Sequence, residues 1–594
     1  LTSGDEFDSD TMADEVLMSL EFALASHDRN PQSFYAACRA LDNLVSSSSD
    51  PSVFVRDSLA DSLDAALLES GDSEDVVIAA CSAIWSLSSQ AGMQTKLGER
   101  KVISSLDGLL TRYESCTPVL EQACGALGNL CILASNCEQV MKNRTHEKLT
   151  KLAHSSSEWE LVYACVGALS NIATHSFSQE PLIEAGVLSL LRDLLERFSG
   201  VENIMSVSCA ALWSLSSSVK AQGLLGSLNV APLLLRTLQE SQENASLVCQ
   251  VAGALWNVSL PEECQLSLLG VGAASVLVDI GLKYLADSKC LRLLLGSLFN
   301  LSSQRSFSEG CDLVQLSKFL LAIINHYDNA EEEVEVKIVT QVLDIVGNLA
   351  VHEPVQKALD DARLPTMVAR ILVSESCPGK LLESACSTLV NFPFPCPADG
   401  DSPSPVDIKA VLHRLLSLIK GESSTAPRHP RLLEDVLSIL RNATVKGNAC
   451  TVLVDLEGIP VLLGILTEFS DHHLGIFTQT CGCIANLSAN GFSLVLKEAG
   501  GVRGLATALQ HYHNQSFDIL LPLMVALRNM SSCGETEEFV ACGAVNLLVS
   551  ILDRDDGSSH PVVEHLLQTF HNITDGEDIL EEEEEADRHS LDAM

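Results

Sequence analysis

The side chains of this sequence that are best suited to binding a ligand are asparagines that recur at a nearly fixed interval. Clear copies stand in the segments Ala126–Leu130 and Ser297–Leu301, each with an asparagine in fourth place. A carboxamide donates and accepts hydrogen bonds at once, so it can pair with the N–H and C=O groups of an extended peptide. The pattern predicts non-covalent recognition of polypeptide backbone.

Aligning the chain on these asparagines gives thirteen anchor positions, two of which hold serine. The anchors are Asn43, Ser86, Asn129, Asn171, Ser214, Asn257, Asn300, Asn348, Asn391, Asn442, Asn486, Asn529 and Asn572. Successive anchors lie 42 to 44 residues apart, except for two separations of 48 and 51 residues. A period in this range is typical of a solenoid, in which each repeat buries its apolar face only against its neighbours.

Residues 176–216 show the predicted order of helices within one repeat. A short helix over 178–185 and a second helix over 187–197 precede a third helix over 201–216. Gly186 stands between the first two, as expected for a left-handed turn at a helix end. The same glycine recurs as Gly272, Gly458, Gly500 and Gly543.

The third helix of the repeat around Asn257 has two distinct faces. Val248, Val251 and Leu255 follow helical spacing and predict a buried face. Gly253 and Asn257 are four residues apart and share another face. We therefore expect this second face to be free to meet a ligand.

The predicted groove combines the anchors of the middle and later repeats with neighbouring aromatic and basic side chains. Its residues are Asn129, Asn171, Trp213, Ser214, Trp256, Asn257, Phe299, Asn300, Asn348, Arg441, Asn442, Asn486, Arg528 and Asn529. For each type of residue, a purely structural role is the alternative to ligand binding. The asparagines would bond neighbouring repeats, the rings would pack on the adjacent repeat, and the arginines would pair with the chain's own acids rather than with a ligand.

The composition restricts the class of partner. The 594 residues carry a net charge of −41, which repels nucleic acid and anionic membrane surfaces. The charge favours partners with basic segments, or serves solubility alone. No apolar run is long enough to span a bilayer, so we expect no direct membrane insertion.

The sequence shows no pattern of residues that is typical of a catalytic or metal centre. Many of the 20 cysteines, Cys124 and Cys249 among them, replace small core residues of the helical pattern. Buried free thiols favour a reducing compartment, so we expect a cytoplasmic protein, with the nucleus as a further location. We expect a monomer without disulfides, structural metal, cofactor or catalytic residues.

Composition shifts predict the limits of the repeat array. The predicted segments are an acidic tail over 1–10, nine repeats over 11–392, a proline-rich insertion over 393–405, four repeats over 406–575 and an acidic tail over 576–594. Proline prevents regular helix, so the insertion is expected to interrupt the stack and to be cut first by proteases.

The third-helix motif resembles that of the armadillo-repeat family. Leu440-Arg441-Asn442 and Leu527-Arg528-Asn529 are similar to the motifs of β-catenin and its relatives, and Leu255-Trp256-Asn257 and Leu298-Phe299-Asn300 to those of the adenomatous polyposis coli repeats. The tryptophan that importin-α places four residues before the asparagine is absent, so an import receptor is not expected.

The resemblance implies an all-α, right-handed superhelical solenoid of about thirteen three-helix repeats. It also implies a concave groove lined by third helices, whose asparagines bond an extended peptide. We therefore expect a non-catalytic scaffold or adaptor that binds a segment of a partner protein in this groove. The alternative is a regulator or chaperone of a folded client, such as a small GTPase or a motor protein.

Overall fold

A computed structural model describes eleven stretches of the chain. They are residues 9–25, 31–47, 54–69, 73–327, 332–374, 377–394, 407–421, 429–468, 473–532, 537–554 and 560–573. All regular structure within these stretches is helical, and they contain no strand. The helices pack in sequential repeats, which confirms the predicted all-α solenoid of armadillo type.

Each repeat is built from the predicted order of helices. The third helices are Pro31–Ser47, Glu74–Leu87, Thr117–Leu130, Trp159–Ala173, Glu202–Leu215, Ala245–Val258, Ser288–Ser302, Glu333–Leu349, Gly379–Leu389, Pro430–Ala443, Leu474–Leu487, Phe517–Ser531 and 561–573. The second helices are Ser9–Ala25, Asp57–Glu69, Val102–Arg112, Thr145–Ser155, Val187–Arg197, Val230–Glu240, Ala273–Lys283, Leu313–His326, Leu364–Val373, Ile408–Lys420, Gly458–Glu468, Gly501–Tyr512 and Ala544–Leu552.

The short first helices complete most of the repeats. They are Ala91–Gly98, Ala134–Lys142, Ser176–Glu184, Val219–Leu228, Glu262–Gly270, the 3-10 helix Arg305–Glu309, Glu353–Asp361, Gly447–Asp455, Ser493–Glu498 and Glu537–Ala541. A π-helical turn, Ser488–Phe492, directly precedes Ser493–Glu498.

The chain forms two compact bodies, Leu1–Cys311 and Asp312–Met594. The first contains repeats 1 to 7, counted by their anchors, and the second contains repeats 8 to 13. Within each body, successive third helices pack side by side in chain order. Side chains at equivalent positions of neighbouring third helices are therefore brought together, although they are more than forty residues apart in sequence.

The predicted core face is confirmed on the third helix Ala245–Val258. Val248 and Val251 are fully buried, and Leu255 is 1% exposed. Because each neighbouring repeat buries an equivalent face, the core is a continuous apolar layer within each body rather than a central globule.

The predicted left-handed turn between first and second helices is present, but glycine does not always make it. Gly186, Gly272, Gly500 and Gly543 have positive φ angles, as the sequence predicted. Gly458 does not, because the preceding Glu457 takes the left-handed conformation at φ 57° and Gly458 begins the second helix. Expecting the turn at Gly458 was therefore wrong by one residue.

The predicted tails and insertion lie mostly outside the described residues. Of the segments 1–10, 393–405 and 576–594, the structure describes only Ser9, Asp10, Pro393 and Phe394. Ser9 and Asp10 already belong to the helix Ser9–Ala25. The division of the array at the proline-rich insertion stays a prediction.

Among the described helices, none is by itself both long and apolar enough to cross a membrane. Two sharply bent pairs meet the same criteria of length and composition when taken together: Glu262–Gly270 with Ala273–Lys283, and Gly447–Asp455 with Gly458–Glu468.

Candidate partner-binding groove

The anchor asparagines share one contact across the repeat interfaces. In nine of them Nδ2 donates to the backbone carbonyl of the residue just before the anchor of the preceding repeat. The pairs are Asn129 with Trp85 (3.0 Å), Asn171 with Gly128 (2.8 Å), Asn257 with Trp213 (3.1 Å), Asn300 with Trp256 (2.9 Å), Asn391 with Gly347 (3.2 Å), Asn442 with Val390 (3.1 Å), Asn486 with Arg441 (3.0 Å), Asn529 with Ala485 (3.3 Å) and Asn572 with Arg528 (3.3 Å).

The accepting carbonyls lie near the ends of third helices, where backbone oxygens lack partners within the helix. A hydroxyl two residues after the anchor often donates to the same oxygen, as Ser216 does to Trp213 and Ser259 to Trp256. Both lone pairs of such a carbonyl are then used. The frequent Asn-X-Ser/Thr triplets of the sequence are therefore part of the helix-end hydrogen bonding.

The donor of the anchor amide thus joins neighbouring repeats, which is the structural alternative considered for these residues. The acceptor oxygen of the amide, Oδ1, is not used in this way in Asn257. Among the described residues, none donates to Oδ1 of Asn257, and that side chain is half-buried. An anchor of this kind can hold the preceding repeat through Nδ2 and still accept a hydrogen bond from a ligand through Oδ1.

The tryptophans directly before the anchors pack on glycines of the following repeat. A Cβ placed on Gly253 would lie 2.4 Å from the ring of Trp213, and one on Gly296 would lie 2.4 Å from the ring of Trp256. Because real Cβ atoms do not approach that closely, only glycine fits beneath these rings. Each ring is half-buried, with one face on the next repeat and part of its surface accessible.

Trp85 repeats this arrangement on Gly125, again at 2.4 Å. Each of the three pairs places an aromatic ring beside the anchor amide of the following repeat, as Asn257 bonds the carbonyl of Trp213 while Gly253 supports its ring. Gly253 was expected to be free for a ligand. That expectation was wrong, because Trp213 covers it.

The predicted arginines pair with neutral groups in the described part of the chain. Nη1 of Arg441 donates to Oε1 of Gln479 at 3.1 Å, and its aliphatic stem covers Gly482 as the tryptophans cover their glycines. Arg528 donates to Oδ1 of Asn529 at 2.8 Å.

The other predicted residues stand on third helices without forming one site. Phe299 is 39% exposed, and Asn300 beside it is 8% exposed. Ser214 is half-buried, and its carbonyl accepts from Nε2 of Gln179 at 3.1 Å. Asn348 is half-buried near the end of Glu333–Leu349.

A depression of about 360 Å³ in the second body carries three carboxyl groups, those of Asp344, Glu383 and Asp435. Burial raises the pKa of Asp435 to about 6, although nearby Arg431 acts in the opposite direction. Burial also raises the pKa of Asp344, against the hydrogen bond that Ser384 donates to its Oδ1 at 2.9 Å. A cationic side chain placed here would favour the ionised forms of both acids.

Sequence reasoning missed the acids and the role of the glycines beneath the rings, although a signal existed. Asp344 and Gly253 stand four residues before their anchors, and Asp435 stands seven before its own. These offsets place a side chain on the anchor's face of the helix. The type of residue at these offsets could have been compared from repeat to repeat.

One pair of cysteines contradicts the prediction of a chain without disulfides. Cys249 and Cys290, on the third helices of repeats 6 and 7, are joined by a disulfide. Both sulfurs and a carboxylate oxygen of Asp287 lie within 4.8 Å of one another, so the reduced thiols and this acid form the one grouping of described residues suited to a metal. Asp287 already accepts from two backbone N–H groups at a helix start. Periodicity could not reveal the pair, because both positions fit small core residues.

Comparisons with known proteins agree with the repeat geometry. No protein-family profile matches the chain. Catenin beta of Tripneustes gratilla is 29% identical over 155 residues, an alignment that covers 22% of this chain and 19% of that relative. The chain therefore matches about a fifth of the length of this curated relative.

Solved structures align over much more of the chain. A chain from work on the phosphorylation switch that controls the interaction between cadherin and beta-catenin aligns with a TM-score of 0.60 at 14% identity, covering 94% of this chain and 99% of that one. An engineered protein aligns with a TM-score of 0.55 at 20% identity, covering 72% of this chain and 98% of its own. Armadillo-repeat proteins bind peptides and protein partners and are typically non-catalytic. By its helical repeats and its third-helix anchors, the chain has the armadillo-repeat fold, and proteins similar to it include β-catenin-like ones.

Proposed function

We propose that this protein is a non-catalytic, cytoplasmic scaffold that binds an extended segment of a partner protein along its third helices. The observation that carries the proposal is the pairing of Trp213 with Asn257. The half-buried ring offers apolar surface, and the amide oxygen beside it has no donor among the described residues. An extended segment presents both side chains for such surfaces and backbone N–H groups for such acceptors.

The charge of the chain supports a partner segment with basic residues. The net charge of −41 attracts cationic groups, and the depression with Asp344, Glu383 and Asp435, which Arg431 also lines, brings three carboxyl groups together. Attraction of this kind raises association rates and selects among partners more than it raises affinity. Binding through it should weaken as salt is added.

The proposal is tested by site-specific photocrosslinking in the full chain. A benzophenone side chain at Val207, which is half-buried on the third helix Glu202–Leu215, reports on the groove face. The same group at Leu282, which is 37% exposed on the second helix Ala273–Lys283, reports on the other side of the repeat.

We expect partners captured through position 207 to retain binding when reduced to the short segment that carries the crosslink. Capture through position 282 should be weaker. Crosslinks at position 282 alone, or binding that requires the intact folded partner, would instead favour the regulator of a folded client.

A further inference from the structure

The row of aromatic rings in the first body has a gap of two repeats. The position directly before the anchor holds Trp85 in repeat 2, Trp213 in repeat 5 and Trp256 in repeat 6. In repeats 3 and 4 the same position holds Gly128 and Ser170. Gly128 has no side chain, and that of Ser170 is too small to cover the following repeat as tryptophan does.

The glycine that a ring on repeat 3 would cover is bare. Gly167 lies four residues before Asn171, as Gly253 lies four before Asn257. A Cβ placed on Gly167 would meet no atom within 4 Å, whereas one on Gly253 would meet the ring of Trp213 at 2.4 Å. Gly253 and Gly167 hold equivalent positions in their repeats, and they differ because a tryptophan ring covers only Gly253.

A depression of about 290 Å³ opens at this gap. Trp85 borders it toward repeat 2, Gly167 and Ala164 line it within repeat 4, and Gln250 borders it toward repeat 6. The lining contains no charged side chain, so a guanidinium or ammonium group entering it would lose water without gaining a counter-charge. An aromatic side chain has the apolar area and the flat face that the bare glycine accommodates.

We infer that this depression binds an aromatic side chain of the partner segment, stacked on Gly167 as Trp213 is stacked on Gly253. The inference rests on the proposed groove function and names the side chain that the groove selects. Asn171 donates through Nδ2 to the carbonyl of Gly128 at 2.8 Å, and its Oδ1 has no donor among the described residues. That oxygen is placed to accept an N–H from the bound segment.

The test uses the full chain and three pools of seven-residue peptides with neutral, mixed flanks. The central residue is tryptophan, leucine or arginine, and binding is measured by fluorescence polarisation. We expect the tryptophan pool to bind about tenfold more tightly than either other pool. Equal binding of all three pools, preference for leucine or arginine, or no binding of any pool would overturn the inference.

Matched variants locate the effect. Gly167→Leu fills the depression at a point where the backbone has room, and we expect it to abolish the preference for tryptophan. Gly108→Leu makes the same change at an exposed helical glycine with equally open surroundings, and should leave the preference unchanged. A preference that survives Gly167→Leu, or that is lost equally in Gly108→Leu, would overturn the inference.

A second filling variant guards against a local folding defect. Ala210→Leu narrows the same depression from repeat 5 and should also abolish the preference. If Gly167→Leu lowers the thermal midpoint, the result with Ala210→Leu decides. The proposed function is judged separately, because a benzophenone at position 207, which borders the same depression, captures any segment that lies in the groove whatever its side chains.

Discussion

The carboxamide of Asn257 donates to the backbone carbonyl of Trp213 at 3.1 Å, across the interface between repeats 6 and 5. The ring of Trp213 in turn covers Gly253, one helical turn before Asn257. Trp213 thus joins the two repeats twice, through its backbone carbonyl and through its ring. The anchor motif is therefore a structural contact first, and the proposed ligand contacts use the remaining oxygen and the exposed part of the ring.

The first prediction concerns the anchor amides. We expect the double variant Asn257→Ala, Asn300→Ala to lower the free energy of unfolding by about 1–3 kcal/mol, because each change removes an inter-repeat hydrogen bond worth about 0.5–1.5 kcal/mol. Urea unfolding measures the effect. Asn203→Ala, an exposed position on a third helix, is the control and should change stability by less than about 0.5 kcal/mol.

The second prediction concerns the covered glycines. Gly253→Ala should destabilise the protein by about 1–3 kcal/mol through overpacking against Trp213, although alanine is the better helix former by about 1 kcal/mol. Gly108→Ala, where a Cβ meets open space, should be neutral or stabilising. In a Trp213→Leu background the cost of Gly253→Ala should fall. An equal cost in both backgrounds would mean that the ring does not enforce the glycine.

The third prediction concerns the disulfide between Cys249 and Cys290. The oxidised, denatured protein should titrate two fewer thiols than the 20 of the reduced chain. Reductant should lower the free energy of unfolding by about 2–4 kcal/mol, since the bond restricts the unfolded chain. The variant Cys249→Ser should show the lower stability with or without reductant. A wild-type protein that is indifferent to reductant would contradict the bond.

The fourth prediction concerns pH. The pKa of Asp435 is about 6 in the folded protein, above its ordinary value of 3.8, so the folded state binds more protons than the unfolded state between these values. Its contribution to stability is therefore greatest below pH 4 and falls as the pH rises to about 6.

The variant Asp435→Asn tests this sign. Relative to wild type, it should gain stability between pH 4.5 and pH 7.5, as measured by urea midpoints at the two values. Ser438→Ala, on the same third helix, introduces no change in titratable groups and should follow the wild-type profile. A difference between Asp435→Asn and wild type that does not vary with pH would show that burial of the acid is not responsible.

The sequence by itself determined the period, the helix order and the buried faces. Val248, Val251 and Leu255 could be assigned to the core because helical spacing fixes which side chains share a face, and apolar side chains are buried together. The left-handed turn at Gly186 followed from the conformational freedom of glycine. The period follows from comparing repeats along the sequence, whereas the buried face and the turn are local properties of a single repeat.

The tertiary structure alone decided which groups meet between repeats. Asn257 pairs with the carbonyl of Trp213, Gly253 carries the ring of that tryptophan, and Gly167 carries none. These contacts join residues 40 and 44 positions apart, and they depend on the distance and rotation between adjacent third helices. Side-chain pattern within one helix does not fix that relation, because it arises only when two apolar faces pack against each other.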